Sequence, residues 1–506
     1  MTDSLSWDPK APGAFARSFR LGEWIPGPVS PLFEDWFLGR AEAAIHGVHA
    51  RVAGIRGIEP YHVVVNGWYF SSLAFLPVTP RALARSLPGM LARLVRSPRR
   101  VAAAFPPVAR FGVPLYEREW RTELLPRYLG AVERATAAVE TLPVSELPLL
   151  VEQLIELAGE YFASIAVVAG YAYKAEYTFV AWHRRRLRGL GESHLTLLLG
   201  ASGIPSGSAH DVESLDWISP PAGERPTTSV GHRRTELLER LRGSREAATA
   251  RARATFRTDR ERHAFDTRLE EVRRAAAVRE EQIGHFTRPW PVFRRALQRM
   301  GSALADGGII EAPGDVFELR LGELRTELEG LGEGGGASPS RAGALRDSVR
   351  ARRTARADAA ALHPPLFIGR IPAVIRRVIV EGRRDYGAAD PTGALVFGMP
   401  ASPGAVTGPA RVIVDLADAS RLQPGDILVT RATTPAWTQL FEIAAGVVAD
   451  VGSALSHASI VAREYGIPAV VGCGDATGRL RDGQTITLDG SAGLVVAPGA
   501  AGLDPR

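Results

Sequence analysis

At 506 residues the chain is longer than one hydrophobic core organises, so two or three domains are expected. Hydrophobic residues make up 45% and charged residues 23%, a soluble globular balance that argues against a disordered or fibrous chain. The net charge of +6 is carried by arginine, since Lys10 and Lys174 are the only lysines; without a zinc-finger spacing, an aromatic RNA-binding signature or a basic tail, it does not point to nucleic acid. Cys473 is the single cysteine, so no intramolecular disulfide forms, and it reads as a small buried filler. The best candidate for a membrane span, residues 162–180, is interrupted by Lys174 and Glu176. No secretory leader opens the sequence, and a cytoplasmic location is expected.

Residues 14–75 mix short apolar runs with turn signals, among them Asn66-Gly67. From 80 to 198 the pattern is helical, and residues 144–158 repeat apolar positions at three- and four-residue intervals. Residues 201–231, rich in Pro, Gly and Ser, read as a loop; 233–305 are helical again; 330–343 form a Gly-rich break. An Arg/Ala helix follows and ends before Pro364-Pro365. Near Gly393 the texture changes to short Val/Ile/Leu runs at 410–414, 426–429, 445–448, 469–471, 485–488 and 493–496, each bounded by Gly, Pro or Asp as strands are. Helical patterns at 416–422 and 457–464 lie between them. A large helical region thus precedes a compact α/β domain.

The most informative stretch is residues 449–472. A strand runs into a Gly-Ser turn, Ser456 is suited to the N-cap, and His457 is then the first helical residue. Gly466 and Pro468 close the helix. Unpaired N–H groups at a helix start bind anions, and the same positive end disfavours an imidazolium, so a histidine placed here suits phosphoryl transfer. Gly452, Ser453, Ala458 and Ser459 are small enough to let another domain approach. A histidine that merely decorates a helix start is the plain alternative.

From Ser456 to Gly472 the sequence resembles the mobile, or swivelling, domain of phosphoenolpyruvate synthase and pyruvate, phosphate dikinase, and more closely that of the rifampin phosphotransferases. Residues 401–408 resemble that domain's opening turn. Residues 422–430 followed by 433–441 resemble its Trp-Thr-containing segment, and 482–490 its closing hairpin. The family's Gly-Gly pair is Gly452-Ser453 here, a departure at the face that meets partner domains. Upstream, residues 22–32, 63–69, 277–290, 297–304, 315–319 and 356–365 resemble the substrate domain of rifampin phosphotransferases, so the likeness runs from about 14 to 500.

The resemblance implies a large, mainly α-helical substrate domain over 1–355, a linker or hinge over 356–392 with its flexible part near 385–395, and a small α/β (β/β/α) phosphohistidine swivelling domain over 393–500. It implies that His457 is the phosphorylated residue. Rifampin phosphotransferases load that histidine from an ATP-grasp domain. This sequence begins where their substrate domain begins and has no Gly-x-x-x-x-Gly-Lys-Ser/Thr loop. The expectation is therefore a separate ATP-grasp partner subunit, as in phenylphosphate synthase, with Mg2+ and ATP bound there and no cofactor or metal held by this chain alone.

Other residues carry weaker expectations. Arg279 suits bidentate contact with a phosphoryl oxygen, with Glu280 orienting it; an intrahelical ion pair on a solvated face is the alternative. Glu281 points about 100° away from Glu280, which argues against a paired-carboxylate acid–base site. Ser456, Arg463 and Thr433 are expected to bind or steady the phosphorylated face, with a structural salt bridge the alternative for Arg463, and Trp437 reads as core. His183 and His285 are candidates for the base that takes the acceptor's proton. The function expected is a phosphotransferase component that passes a phosphoryl group from the partner to a small organic molecule. The apolar and aromatic content of the helical part suggests a hydrophobic acceptor, and phosphorylation there can also activate an alcohol for condensation. A ligand-binding protein with a vestigial carrier domain and a phosphorelay protein are the competing readings.

Overall fold

The computed structural model describes residues 6–17, 20–53, 60–73, 80–96, 117–187, 193–198, 211–221, 224, 234–332, 338–371, 393–454 and 456–498. A four-stranded sheet stands beside the helical body, in the order β2-β3-β1-β4. It comprises β1 (Ala14–Ala16), β2 (His62–Val65), β3 (Trp68–Ser72) and β4 (Phe367–Gly369). Asn66 and Gly67 both take positive φ, 51° and 80°, the geometry an Asn-Gly pair favours in a two-residue hairpin between β2 and β3. β1 pairs antiparallel with β3 on one side and β4 on the other, so the two ends of the helical region meet in one sheet.

Among the described residues the α-helices of this region are, in chain order, α1 (Gly39–Ala53), α2 (Pro80–Arg96), α3 (Leu125–Ala138), α4 (Leu147–Arg186), α5 (Arg234–Ala254), α6 (Asp259–Phe286), α7 (Trp290–Asp306), α8 (Leu321–Gly332) and α9 (Pro339–Ala360). The amphipathic pattern at 144–158 is only the first part of α4, which runs 40 residues. α1 crosses α4 at Gly159, where an added Cβ would come 2.7 Å from the Ala44 Cβ. α6 starts with a reciprocal cap: Glu261 N–H donates to Thr258 Oγ1 and Thr258 N–H to Glu261 Oε2, both at 3.3 Å. The core between these helices is aromatic, with Trp36, Trp217, Trp290, Phe33, Phe37 and Phe293 packed mostly edge to face. Tyr128 Oη donates to Phe286 O at 2.6 Å and Tyr161 Oη to Gln282 O at 3.2 Å, which pins the last turns of α6 to α3 and α4.

The C-terminal region forms an eight-stranded sheet in the order β5-β12-β11-β7-β8-β9-β10-β6. Its strands are β5 (Val396–Phe397), β6 (Met399–Ser402), β7 (Ala405–Val412), β8 (Ile427–Thr430), β9 (Gly446–Ala449), β10 (Ala469–Val471), β11 (Thr485–Asp489) and β12 (Leu494–Val496). β7 to β10 are parallel and the flanking strands antiparallel. The unbroken apolar runs of β8, β9 and β10 are what central parallel strands, buried on both faces, require. α10 (His457–Tyr465) connects β9 to β10 and packs Ala458, Val461, Ala462 and Tyr465 against Trp437 and Phe441; the short α11 (Ala476–Arg479) covers the other face.

Three expectations change. The small sheet was not anticipated. The Gly-rich break is shorter than 330–343, because Ser338 Oγ caps α9 by accepting from Arg341 N and the helix already runs through Gly343. The segment 356–392 is not linker throughout: α9 continues to Ala360, and Phe367–Gly369 is a sheet strand. Most of the expected hinge, 385–392, lies outside the described residues, as does most of the loop expected at 201–231.

Candidate functional site

The loop after β9 is built to hold a helix start. Gly452 has a φ of 145°, and a Cβ there would come 2.9 Å from the Val471 Cβ, so the turn excludes a side chain. Ser456 is extended and caps α10, its Oγ accepting from Ser459 N–H at 3.4 Å, while Ser459 Oγ donates to Ser453 O at 2.5 Å. Gly466 closes the helix in the left-handed region, φ 62°. His457 is thereby fixed as the first helical residue, with Ser456 as its cap.

His457 is buried, and residues from both regions enclose its ring. On the side of the C-terminal region, Nε2 lies 3.3 Å from Thr438 Oγ1. On the helical side, Nδ1 lies 3.6 Å from Glu280 Oε2 on α6. The other oxygen of Glu280 is in close ion contact with Arg279, so this pair is buried at a seam and not on a solvated helix face. Burial pushes the Glu280 carboxyl up, but the Arg279 guanidinium and the His457 ring outweigh it and hold the carboxyl below its usual range. Arg279 Nε is buried and has no hydrogen-bond partner among the described residues. Glu281 turns away, as expected, and forms a two-pronged ion pair with Arg121 at 2.6 and 2.7 Å.

Arg463 ties the two regions together. Its Nε donates to Ala401 O at 2.8 Å, another nitrogen donates to Ala454 O, and Nη1 lies 3.4 Å from Glu176 Oε1 on α4. Glu176, which in the sequence only interrupts an apolar run, is thus a buried counter-ion of α10. Thr433 is buried, with no hydrogen bond to its hydroxyl among the described residues; Thr438, five residues on, is the threonine that reaches His457. Trp437 is core. His183 sits on α4, its ring 5.9 Å from that of His194, and His285 accepts at Nδ1 from Arg288 Nε at 3.2 Å. Cys473 is half-buried at the edge of the sheet's core and not a buried filler.

Sequence reasoning did not single out two residues of the site, Thr438 and Glu23. Glu23 lies on the turn Arg20–Trp24 and accepts from Ser453 Oγ at 3.3 Å. Burial pushes its carboxyl up to about 7 against the pull of Arg279 and the Ser453 hydrogen bond, and the nearby Glu280 adds to the rise. An acid set among Leu21, Trp24 and Ile25 is the signal that could have found it. Among the described residues, no group of three or more His, Cys, Asp or Glu is placed to hold a metal ion, and no helix is long and apolar enough to cross a membrane.

Residues 422–493, which contain β8, β9, α10 and β10, match the family described as PEP-utilising enzyme, mobile domain. Over part of its length the chain is similar to rifampicin phosphotransferases and other phosphotransferases. Rifampicin phosphotransferase of Streptomyces sviceus is 34% identical over 306 residues, 56% of this chain and 32% of that protein. The uncharacterized phosphotransferase YvkC of Bacillus subtilis is 35% identical over 206 residues, 39% of this chain and 23% of that one. The prodigiosin synthesizing transferase PigC of Serratia marcescens is 50% identical over 117 residues, 23% of this chain and 13% of its own length. The chain thus spans about a third or less of the length of these relatives.

Proposed function

We propose that this chain is a phosphotransferase component that carries a phosphoryl group on His457 and delivers it to a hydroxyl of a small organic acceptor held by the helical region. The observation that carries the reading is the seating of a helix-start histidine against a buried Arg–Glu pair from another part of the chain. Glu280, kept ionised, faces Nδ1 of His457 at 3.6 Å and favours the proton on that nitrogen, so that Nε2 is the atom that holds the phosphoryl group at this seat. The same contact keeps Nδ1 protonated after phosphorylation, so the imidazole departs neutral when the acceptor attacks. The unpartnered Arg279 Nε offers a charge-assisted hydrogen bond to a phosphoryl oxygen, supported by the free N–H groups at the α10 start.

We place the loading reaction, with its ATP and Mg2+, on an ATP-grasp unit outside these residues, as a separate subunit in the cytoplasm. His457 is enclosed by the helical region here, so loading requires the carrier to leave this seat; the domain divides at about residue 393. Arg463 and Ser456 hold the carrier face, and Thr433 supports it from within. The kinships to rifampicin phosphotransferases and to a prodigiosin synthesizing transferase agree with an apolar, aromatic-walled acceptor. The test is incubation of the chain with Mg2+ and labelled ATP, alone and with candidate ATP-grasp proteins. Labelling of His457 only in the mixture supports the reading; robust self-labelling overturns the separate-subunit arrangement, and label on another residue overturns the carrier role.

A further inference from the structure

Delivery of a phosphoryl group to a hydroxyl releases a proton, and the groups discussed so far are otherwise engaged. Glu280 is committed to Arg279 and to Nδ1 of His457. Glu176 faces Arg463. His194 is held well below its usual value by burial and by its neighbours His183 and Arg463. Glu23 remains. It sits on the helical side of the seam, retains some accessible surface, and touches the carrier at Ser453, three residues before the α10 cap. Its neighbour Trp24 packs edge-on against Phe286 of α6 at 6.3 Å, an apolar wall beside the carboxyl.

Resting on the carrier reading above, we propose that Glu23 is the group that takes the acceptor hydroxyl's proton as the phosphoryl group leaves His457. The acceptor oxygen attacks phosphorus and the new O–P bond forms. The P–Nε2 bond breaks with its electron pair returning to the imidazole, and the hydroxyl proton passes to the Glu23 carboxylate. The groups facing Glu23 are Arg279 and Glu280 from α6 and Ser453 from the carrier loop. Two carboxylates thus flank one guanidinium in environments that push them apart. One stays ionised and orients the histidine, and the other titrates close to neutrality, where a base both accepts and releases a proton readily. Ser453, which donates to Glu23, makes the carrier itself part of this base's surroundings.

The experiment uses the full chain loaded directly with phosphoramidate, a histidine phosphoryl donor, and follows decay of the phosphohistidine by phosphorus NMR, with water and then 1-butanol as acceptor. Wild-type decay should rise with pH with a midpoint near 7. Glu23→Gln should still load, decay on the order of 10²-fold more slowly, and lose that pH dependence. Glu23→Asp should restore part of the rate and the profile. Ser453→Ala removes a hydrogen bond that favours the ionised carboxylate, so it should move the midpoint upward. A Glu23→Gln protein with the wild-type rate and profile overturns the proposal, and so does a slower rate with the pH profile intact, since that marks a purely structural role. Failure of the wild-type protein to load at His457 is visible before any variant is compared; it removes the carrier reading and this proposal with it.

Discussion

On the carrier side of the seam the residues around His457 are Ser453, Ser456, Ala458 and Ser459, with Thr438 behind the ring; on the helical side they are Glu23, Arg279 and Glu280. The carrier side is small, uncharged and held by its own hydroxyl bonds. The helical side is charged and buried. The first can be accepted by more than one docking surface, because it asks little of a partner. The second suits one geometry, because a buried guanidinium and two carboxylates tolerate little misplacement. On the proposed reading, the step that visits two sites falls on the neutral face and the choice of acceptor on the charged one.

The largest test of this division is removal of the shared residue. His457→Ala should abolish phosphoryl transfer, with a stability change within the ordinary ~0.5–3 kcal/mol of point mutations, because its side chain sits at a helix start. Mass spectrometry of the loaded protein under neutral conditions should map an acid-labile, base-stable phosphate to His457; turnover by the variant would break the comparison. Next, Glu280→Gln keeps the shape of the charged face and removes its charge. On the proposed reading, in which loading takes place away from this seat, transfer should slow by about 10²-fold while loading is unchanged. Equal loss in both half-reactions, measured separately, would erase the distinction.

Glu176→Gln should act on docking. It leaves Arg463 buried with a neutral partner, a cost of about 1–3 kcal/mol, which small-angle scattering and proteolysis at the domain junction should register as a more open population. The smallest effect concerns pH. Glu23 has its carboxyl raised in the folded protein, so the stability tied to its protonation is full below about 4.5 and is lost as pH rises through about 7. Glu23→Gln should therefore melt higher than wild type at pH 8, by a margin that shrinks toward pH 5. A constant margin across that window would mean that Glu23 does not titrate there.

The carrier region was legible because its signals are local. The strands β8 to β10 are continuous apolar runs, and α10 is bracketed by a serine and a glycine within ten residues. β5 and β6 escaped notice because they are short and β6 carries Pro400, which an edge strand tolerates. The small sheet was illegible because β1 pairs with a strand some 350 residues away, and nothing in three residues announces a partner at that distance. Charged residues misled most. Glu176 looked like an interruption and is a counter-ion, and Arg279–Glu280 read equally well as surface or site. A charge is placed by what lies across from it, and that is set by tertiary packing.

Tyr161 and Glu176 stand on the same long helix, α4, fifteen residues apart, so about 22 Å separates them along its axis. One holds the end of α6 beneath the charged pair, and the other holds the carrier through Arg463. α4 is in effect a lever. A rotation of about 5° about Tyr161 would sweep Glu176 through about 2 Å, enough to part it from Arg463. The contact of Tyr161 with the end of α6 and the contact of Glu176 with Arg463 are thereby carried by one continuous element.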